Sequence, residues 1–175
     1  GVSPATLRRD LAILEDQGLL IRHYGGARSA DAGVELPVVY RDRRSKAQKL
    51  AVASAAADLL PRGPQTVGFT GGSTTSEIAR ILSTRVDLVV VTNALNIAME
   101  MALKPRIRVV VSGGVARSQS AELVGPWAES ALAQATIGTA YVGVDGISTG
   151  GGISTHDPVE ARTNAALIAR AEQIG

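Results

Sequence analysis

The chain has 175 residues, 45% of them hydrophobic but only 3% aromatic, with no cysteine, two histidines and a formal net charge of +2. Without cysteine there are no disulfides and no thiolate metal sites, His23 and His156 alone make no His-rich metal centre, and no apolar run reaches membrane-spanning length. A core of Ala, Val, Ile and Leu favours helices packed on a parallel sheet over an aromatic-rich β-sandwich. With no signal-like N-terminus, a cytoplasmic protein with no membrane partner is expected.

The charge is unevenly spread: residues 1–50 carry nine Lys and Arg against six Asp and Glu, and the remainder nine against ten. A polyanionic partner would therefore be sought at the N-terminal end. There, Ser3-Pro4 is a helix start, Ser as the cap and Pro in the first turn. Leu7, Leu11 and Leu14 recur as one apolar stripe, and Ala5, Thr6, Arg8 and Arg9 fall mainly on the other side. Gly18 is expected to stop this helix, and residues 19–24 read as a strand turning at Gly25-Gly26. An exposed helix face with small residues, a hydroxyl and adjacent arginines, followed by a short hairpin, suits the recognition helix and wing of a winged helix-turn-helix on DNA. The same residues also suit an ordinary amphipathic helix with two solvated arginines.

Residues 29–34 read as a linker, and residues 41–44 as a charged approach to a helix over residues 45–60. Strand and helix patterns then alternate. Strands are predicted over residues 66–70, 87–92, 106–112 and 139–145, and helices over residues 74–82, 94–103, 125–135 and 158–171. Repeated βα units with apolar strands predict an α/β fold, a parallel sheet sandwiched by helices, whose ligand sites collect where the strands end.

The predicted strand ends share one chemistry. The first gives Thr70, Gly71, Gly72, Ser73, Thr74 and Thr75, the second Thr92 and Asn93, and the third Gly113 and Gly114 after Ser112. The fourth gives Asp145, with Gly152, Ser154 and Glu160 following. Backbone N–H groups at a helix start, with hydroxyls beside them, suit a phosphate, while Asn93 and Asp145 suit sugar hydroxyls. For the first loop alone the plainer reading is that Gly71 and Gly72 turn the chain and Ser73 or Thr74 caps a helix. No P-loop pattern is present, and no cofactor or metal is expected.

The N-terminal run Val2-Ser3-Pro4-Ala5-Thr6-Leu7-Arg8-Arg9-Asp10-Leu11, with Gly18-Leu19-Leu20 and Arg22-His23-Tyr24-Gly25-Gly26 after it, resembles the DeoR family of bacterial transcriptional regulators. The resemblance continues through Gly72-Ser73-Thr74, Val91-Thr92-Asn93, Gly113-Gly114, Glu122-Leu123-Val124-Gly125, Gly143-Val144-Asp145-Gly146 and Gly152-Ile153-Ser154-Thr155. It implies a partial winged helix-turn-helix over residues 1–28, a linker over 29–40 and a sugar-phosphate sensor over 41–175. The sensor of that family is similar in fold to ribose-5-phosphate isomerase and glucosamine-6-phosphate deaminase. On this resemblance Ser3, Ala5, Thr6, Arg8, Arg9, Arg22, His23, Gly25 and Gly26 would meet operator DNA, and a homo-oligomer, dimer or tetramer, would read a palindromic site.

Three positions depart from the family pattern: Thr70 replaces Asp, and Ala47 and Asn164 replace Lys. Each lost cation would weaken a partly buried anion by ~1 kcal/mol. The first two helices of such a head would precede Gly1, so this stretch is expected to be poorly anchored, and the sensor is expected to be C-terminally incomplete after the last helix. Three readings follow: a carbohydrate-metabolism repressor modulated by a phosphorylated sugar, an isomerase or deaminase using Asp145, His156, Asp157 or Glu160 as acid and base, or a binding-only domain that has lost both DNA and ligand functions. The segment His156-Asp157-Pro158 reads more simply as a helix cap.

Overall fold

The computed structural model of the chain describes residues 2–16, 19–29, 35, 37–41, 45–85 and 87–175. Gly18, the core of the expected linker at residues 30–34, and the charged residues 42–44 lie outside the described residues.

The N-terminal stretch forms helix α1 (Pro4–Asp16) and strands β1 (Leu20–His23) and β2 (Gly26–Ser29), paired antiparallel with His23 opposite Gly26. Ser3 caps the helix: its Oγ accepts the Thr6 amide at 3.1 Å, which satisfies one of the orphan donors of the first turn. Gly25, at φ 85°, makes the turn between the strands in a conformation that side chains resist. Glu15 ties hairpin to helix, accepting the Arg22 amide at 3.2 Å. Leu7 and Leu14 of the apolar stripe remain 49% and 36% exposed.

The rest of the described chain runs through α2 (Val38–Arg41), α3 (Lys46–Leu59), β3 (Gln65–Phe69), α4 (Ser73–Leu82), β4 (Leu88–Thr92), α5 (Leu95–Ala102) and β5 (Ile107–Val111). It continues through a hairpin of β6 (Val115–Arg117) and β7 (Glu122–Val124), then α6 (Pro126–Leu132) and β8 (Ile137–Tyr141). A second hairpin of β9 (Gly146–Ser148) and β10 (Gly152–Ser154) precedes α7 (Pro158–Ile168) and β11 (Ala171–Ile174). Five strands pair in parallel in the order β11-β8-β3-β4-β5. One face buries Val67, Phe69 and Val90 against Ala53 and Ala57 of α3, Ile78 and Leu82 of α4, and Ile97 and Met101 of α5. The other packs Val91 and Ala140 against Leu132 of α6 and Leu167 of α7. The predicted parallel sheet sandwiched by helices is therefore the fold.

The structure corrects three local expectations. The fourth predicted strand, β8, starts earlier than predicted and ends at Tyr141, so residues 142–145 leave the sheet as a loop. The last helix ends at Ile168, and the residues after it form a fifth parallel strand whose Gly175 amide bonds the Ala140 carbonyl at 2.9 Å. Ala-Glu-Gln-Ile has no β-branched run, so it reads as continuing helix until β8 offers it an edge. Both hairpins escape prediction, because three-residue strands are too short to show alternation.

Strands β3, β4 and β5 step one way across the sheet while β8 and β11 step the other, so the order reverses between β3 and β8. A crevice opens outside the strand ends at such a reversal. Here it is held to tight dimensions. Thr70 Oγ1 accepts the Gly143 amide at 2.8 Å, and a Cβ added at Gly143 would overlap the Gly71 carbonyl oxygen.

Gly143→Ala is therefore expected to cost about 3 kcal/mol or more in urea unfolding, since two backbones would have to part. Gly138→Ala, whose added Cβ would meet nothing nearer than the Thr66 carbonyl oxygen at 3.4 Å, is expected to change stability by less than about 1 kcal/mol. Equal effects at the two positions would refute the close-approach argument.

Candidate functional site

A cleft of about 530 Å³ occupies the reversal between β3 and β8. Gly71 and Gly72 with Ser73, Thr74 and Thr75 form one wall, and the loop Val142, Gly143, Val144 and Asp145 forms another. Thr155, His156 and Glu160 come from the approach to α7 and its first turn, Ser120 and Glu122 from the β6–β7 hairpin. Glu35, Arg41, Ser45 and Lys49 come from the segment that leads into α3 and from α3 itself.

The α4 start has the character its sequence predicts but not the cap. Gly72, at φ 137°, stands at the N-cap and has no side chain to offer. Thr75 and Ser76 donate their hydroxyls back to the Gly72 carbonyl at 2.9 and 2.7 Å. The first amides of the helix, which have no intrahelical partner, thus border the cleft at the positive end of the dipole. An anion is the natural partner of such an end.

Carboxylates dominate the opposite side. Arg117 lies behind the wall and holds three of them: Glu35, Glu160 at 3.0 Å and Asp157 at 3.5 Å. The Thr155 hydroxyl lies within hydrogen-bond reach of both Glu160 and Asp145 and gives its single proton to one of them at a time. Asp145 receives Arg41 Nη1 at 2.7 Å, the Thr155 hydroxyl at 2.9 Å and the His156 ring at 2.8 Å. Burial works to raise the Asp145 carboxyl, but the hydrogen bonds from the His156 ring, Thr155 and the His156 amide, with the Arg41 charge, hold it below its ordinary range. Asp157 caps α7 through the Val159 and Glu160 amides at 2.8 and 2.9 Å, as its Asp-Pro sequence predicts.

Glu122 behaves differently. It is 1% exposed, accepts the Gly71 amide, and takes the Asn164 side-chain amide at 3.4 Å. Desolvation, with the neighbouring Glu160 charge, outweighs those hydrogen bonds and pushes its carboxyl up to about 8. Glu122 is thus largely neutral around pH 7. Gly71 is required beneath it, because an added Cβ would collide with the Glu122 carboxylate.

Of the residues singled out from sequence, Gly71, Gly72, Ser73, Thr74, Thr75, Asp145 and Glu160 of the expected effector site border the cleft, as does His156 of the acid–base reading. The others do not. Thr70 is the buried strut to Gly143, and Thr92 bridges β3 and the start of α5, donating to the Phe69 carbonyl at 2.7 Å. Asn93 is buried one layer below, where its Nδ2 donates to Asn164 Oδ1 at 2.9 Å. Gly113 and Gly114 turn the chain after β5, with Gly114 close against Val124 and Ala128. Gly152, at φ 68°, opens β10, and the Ser154 carbonyl accepts the Asp145 amide at 2.9 Å beside a smaller cavity of about 150 Å³. So the expected convergence of four strand ends is halved: β3 and β8 contribute, β4 and β5 do not.

Sequence reasoning missed Lys49 and Ser120, and read Arg41 only as the start of a charged approach to a helix. Lys49 donates to the Arg41 carbonyl, and both side chains border the cleft. Arg41 and Lys49 thus put two cations beside the cleft, although Ala47 and Asn164 replace the Lys of the family pattern. In the head, Ser3, Ala5, Thr6, Arg8, Arg9, Arg22, His23, Gly25 and Gly26 are all exposed on α1 and the hairpin. His23 lies over Gly26, and Tyr24 projects fully from the tip. Among the described residues no helix is long and apolar enough to cross a membrane, and no group of three His, Asp or Glu could hold a metal ion.

The fold is that of the ribose 5-phosphate isomerases. The isomerase of Methanocaldococcus jannaschii superposes with a TM-score of 0.51 at 18% identity, over 74% of this chain and 50% of that one. A D-ribose-5-phosphate isomerase in complex with phospho-erythronic acid gives 0.52 at 17% identity over the same shares. Residues 44–174 match the DeoR C terminal sensor domain and residues 1–32 the DeoR-like helix-turn-helix domain; the chain belongs to the DeoR family. It is 35% identical over 173 residues to the HTH-type transcriptional repressor CsqR of Escherichia coli K12, and 31% identical over 173 residues to the glycerol-3-phosphate regulon repressor of the same strain. Each match takes in 99% of this chain, and 66% and 68% of the relative. The chain thus spans about two thirds of the length of the curated relatives it matches.

The raised Glu122 carboxyl has a signed consequence. The folded chain keeps its proton up to about pH 8 while an unfolded glutamate loses it near 4.5, so stability from this group is full below 4.5 and declines as pH rises through that window. Glu122→Gln removes the decline. Wild type is expected to lose melting temperature relative to this variant between about pH 5 and pH 8, and parallel curves would exclude a neutral buried Glu122.

Proposed function

We propose that this protein is a DNA-binding repressor of carbohydrate metabolism, active in the cytoplasm as a homo-oligomer, whose operator affinity changes when a phosphorylated sugar occupies the cleft. The observation that carries the reading is the cleft at the strand-order reversal. Its α4 end offers first-turn amides without an intrahelical partner, and its far side offers carboxylates, with Arg41 bonded to Asp145 among them. A phosphate suits the first end and hydroxyls suit the second. The names of the repressor relatives, one of them for a glycerol-3-phosphate regulon, support the same reading. So does the exposed pair Arg8 and Arg9 on the α1 face away from the leucine stripe. Paired heads on a palindromic operator call for an even oligomer. The exposed apolar residues Met99, Leu103 and Trp127 offer surface for one.

Enzymatic turnover is not part of this reading. The Asp145 and His156 pair is the constellation that would favour it, yet Asp145 is also committed to Arg41 and Thr155 and is held in its charged form. A proton shuttle needs a group poised near the working pH.

The test uses the full-length regulator and fluorescence anisotropy on operator DNA. Arg8→Ala with Arg9→Ala is expected to abolish binding at physiological salt, and to flatten the dependence of log affinity on log salt by about 2 if each arginine holds one phosphate. A panel of phosphopentoses and phosphohexoses is expected to include one that shifts operator affinity, with no isomerase or deaminase turnover of any. Undiminished operator binding by the double variant, or turnover lost on Asp145→Asn, would defeat the proposal.

A further inference from the structure

Glu122 is a titratable side chain that the proposed function leaves unused. Its carboxyl is 1% exposed and lies against the loop that would hold the phosphate. Oε1 accepts the Gly71 amide, one residue ahead of the α4 N-cap. Oε2 meets Asn164 Nδ2 at 3.4 Å, Asn164 Oδ1 accepts Asn93 Nδ2 at 2.9 Å, and Asn93 Oδ1 has no partner among the described residues. Both of these donors to the carboxyl are neutral amides. Of the charged groups around it, Glu160 of α7 repels a second negative charge, and Arg117 of β6 is divided among Glu35, Asp157 and Glu160. Asp145 with Arg41 and His156, and Lys49 of α3, border the same cleft. Glu77 of α4 is paired with Arg80 at 2.6 Å, and Glu129 of α6 meets Thr163 at 3.5 Å.

A carboxylate and a phosphate on two sides of one glycine loop repel strongly, because a buried pair of charges is screened far less than an exposed one. Burial and the Glu160 charge hold the carboxyl up to about 8, so the ligand-free chain already carries the neutral form at neutral pH. The amides can serve that form. With both turned end for end, the carboxyl O–H donates to Asn164 Oδ1 and Asn164 Nδ2 to Asn93 Oδ1; each orientation leaves one atom of Asn93 over. We propose that Glu122 is a proton gate for the cleft: a phosphorylated sugar seats on the α4 loop with Glu122 neutral, and at alkaline pH each binding event takes up one proton from solvent. The proton ends on Oε2, and no other covalent bond is made or broken. The proposal rests on the reading of the cleft as a phosphosugar site. It adds a residue that governs affinity through its charge, without touching the ligand.

Full-length wild type and Glu122→Gln, which keeps the shape of the neutral carboxyl, are titrated calorimetrically with ribose 5-phosphate, fructose 6-phosphate and glycerol 3-phosphate. The range runs from about pH 7 to about pH 9, above the second ionisation of a phosphate ester at about 6, so the probes keep one charge throughout. Wild-type affinity for whichever probe binds is expected to fall about tenfold across that range, and the affinity of Glu122→Gln to stay level. Repeating the titration at about pH 9 in two buffers of different ionisation enthalpy is expected to show close to one proton taken up per ligand by wild type and none by the variant. Should Glu122→Gln not fold, the proton count of wild type decides alone. A level wild-type profile, no proton uptake, or the same decline in Glu122→Gln overturns the gate while the phosphosugar reading stands. If wild type binds none of the three probes, that reading fails and this one with it.

Discussion

The carboxyl of Glu122, shut away from water beneath the first glycine loop, is the constraint around which the site is built. Taking a carboxylate out of water costs several kcal/mol unless its oxygens are well served, and here the Gly71 amide and the Asn164 side chain serve them incompletely. The group responds by keeping its proton. Its position also decides its neighbours. Residue 71 must lack a Cβ, the β6–β7 hairpin must fold back over the ends of β3 and β4, and Asn164 must face inward to link Glu122 with Asn93. One buried acid thus ties a hairpin, a loop, a helix and a strand end into the floor of one cleft.

Around that floor the charges are arranged asymmetrically. Arg117 gathers Glu35, Asp157 and Glu160, and Arg41 is shared with Asp145, so most of the positive charge near the cleft is already engaged. Two of these pairs, Glu35 with Arg117 and Arg41 with Asp145, join the segment ahead of α3 to the sensor. They are partly buried, and losing one partner of such a pair costs more than a surface ion pair contributes. Whatever changes the charge in the cleft therefore acts on the segment that leads back toward α1. This gives the proposed signal a physical route that requires no rearrangement of the sheet.

A fold shared between ribose 5-phosphate isomerases and a member of the DeoR family shows how little the sheet itself decides about chemistry. The strands supply a crevice and a glycine loop. The side chains placed around them decide whether a proton moves or a conformation does. The carboxylate that meets the His156 imidazole is also fixed by a guanidinium and a hydroxyl, an arrangement that favours holding over shuttling.

The amino-acid sequence by itself determined the layered architecture, because apolar strands alternating with amphipathic helices have only one way to bury both faces of a sheet. Local signals were equally legible where the interaction is local: Ser3 and Asp157 cap their helices, and Gly25 turns the hairpin, since each acts on residues three or fewer positions away. The loop from Gly71 to Thr75 could be read as suited to an anion for the same reason. Which strand ends met was decided only by the tertiary structure, since strand order depends on long-range pairing that no local pattern encodes. That order excluded Thr92, Asn93, Gly113 and Gly114 from the cleft and brought in Lys49, Ser120 and Glu122 from elements distant in sequence. A serine in a short turn and a lysine on a helix carry no signal of their own; their place beside the cleft, a property of the folded chain, is what marks them.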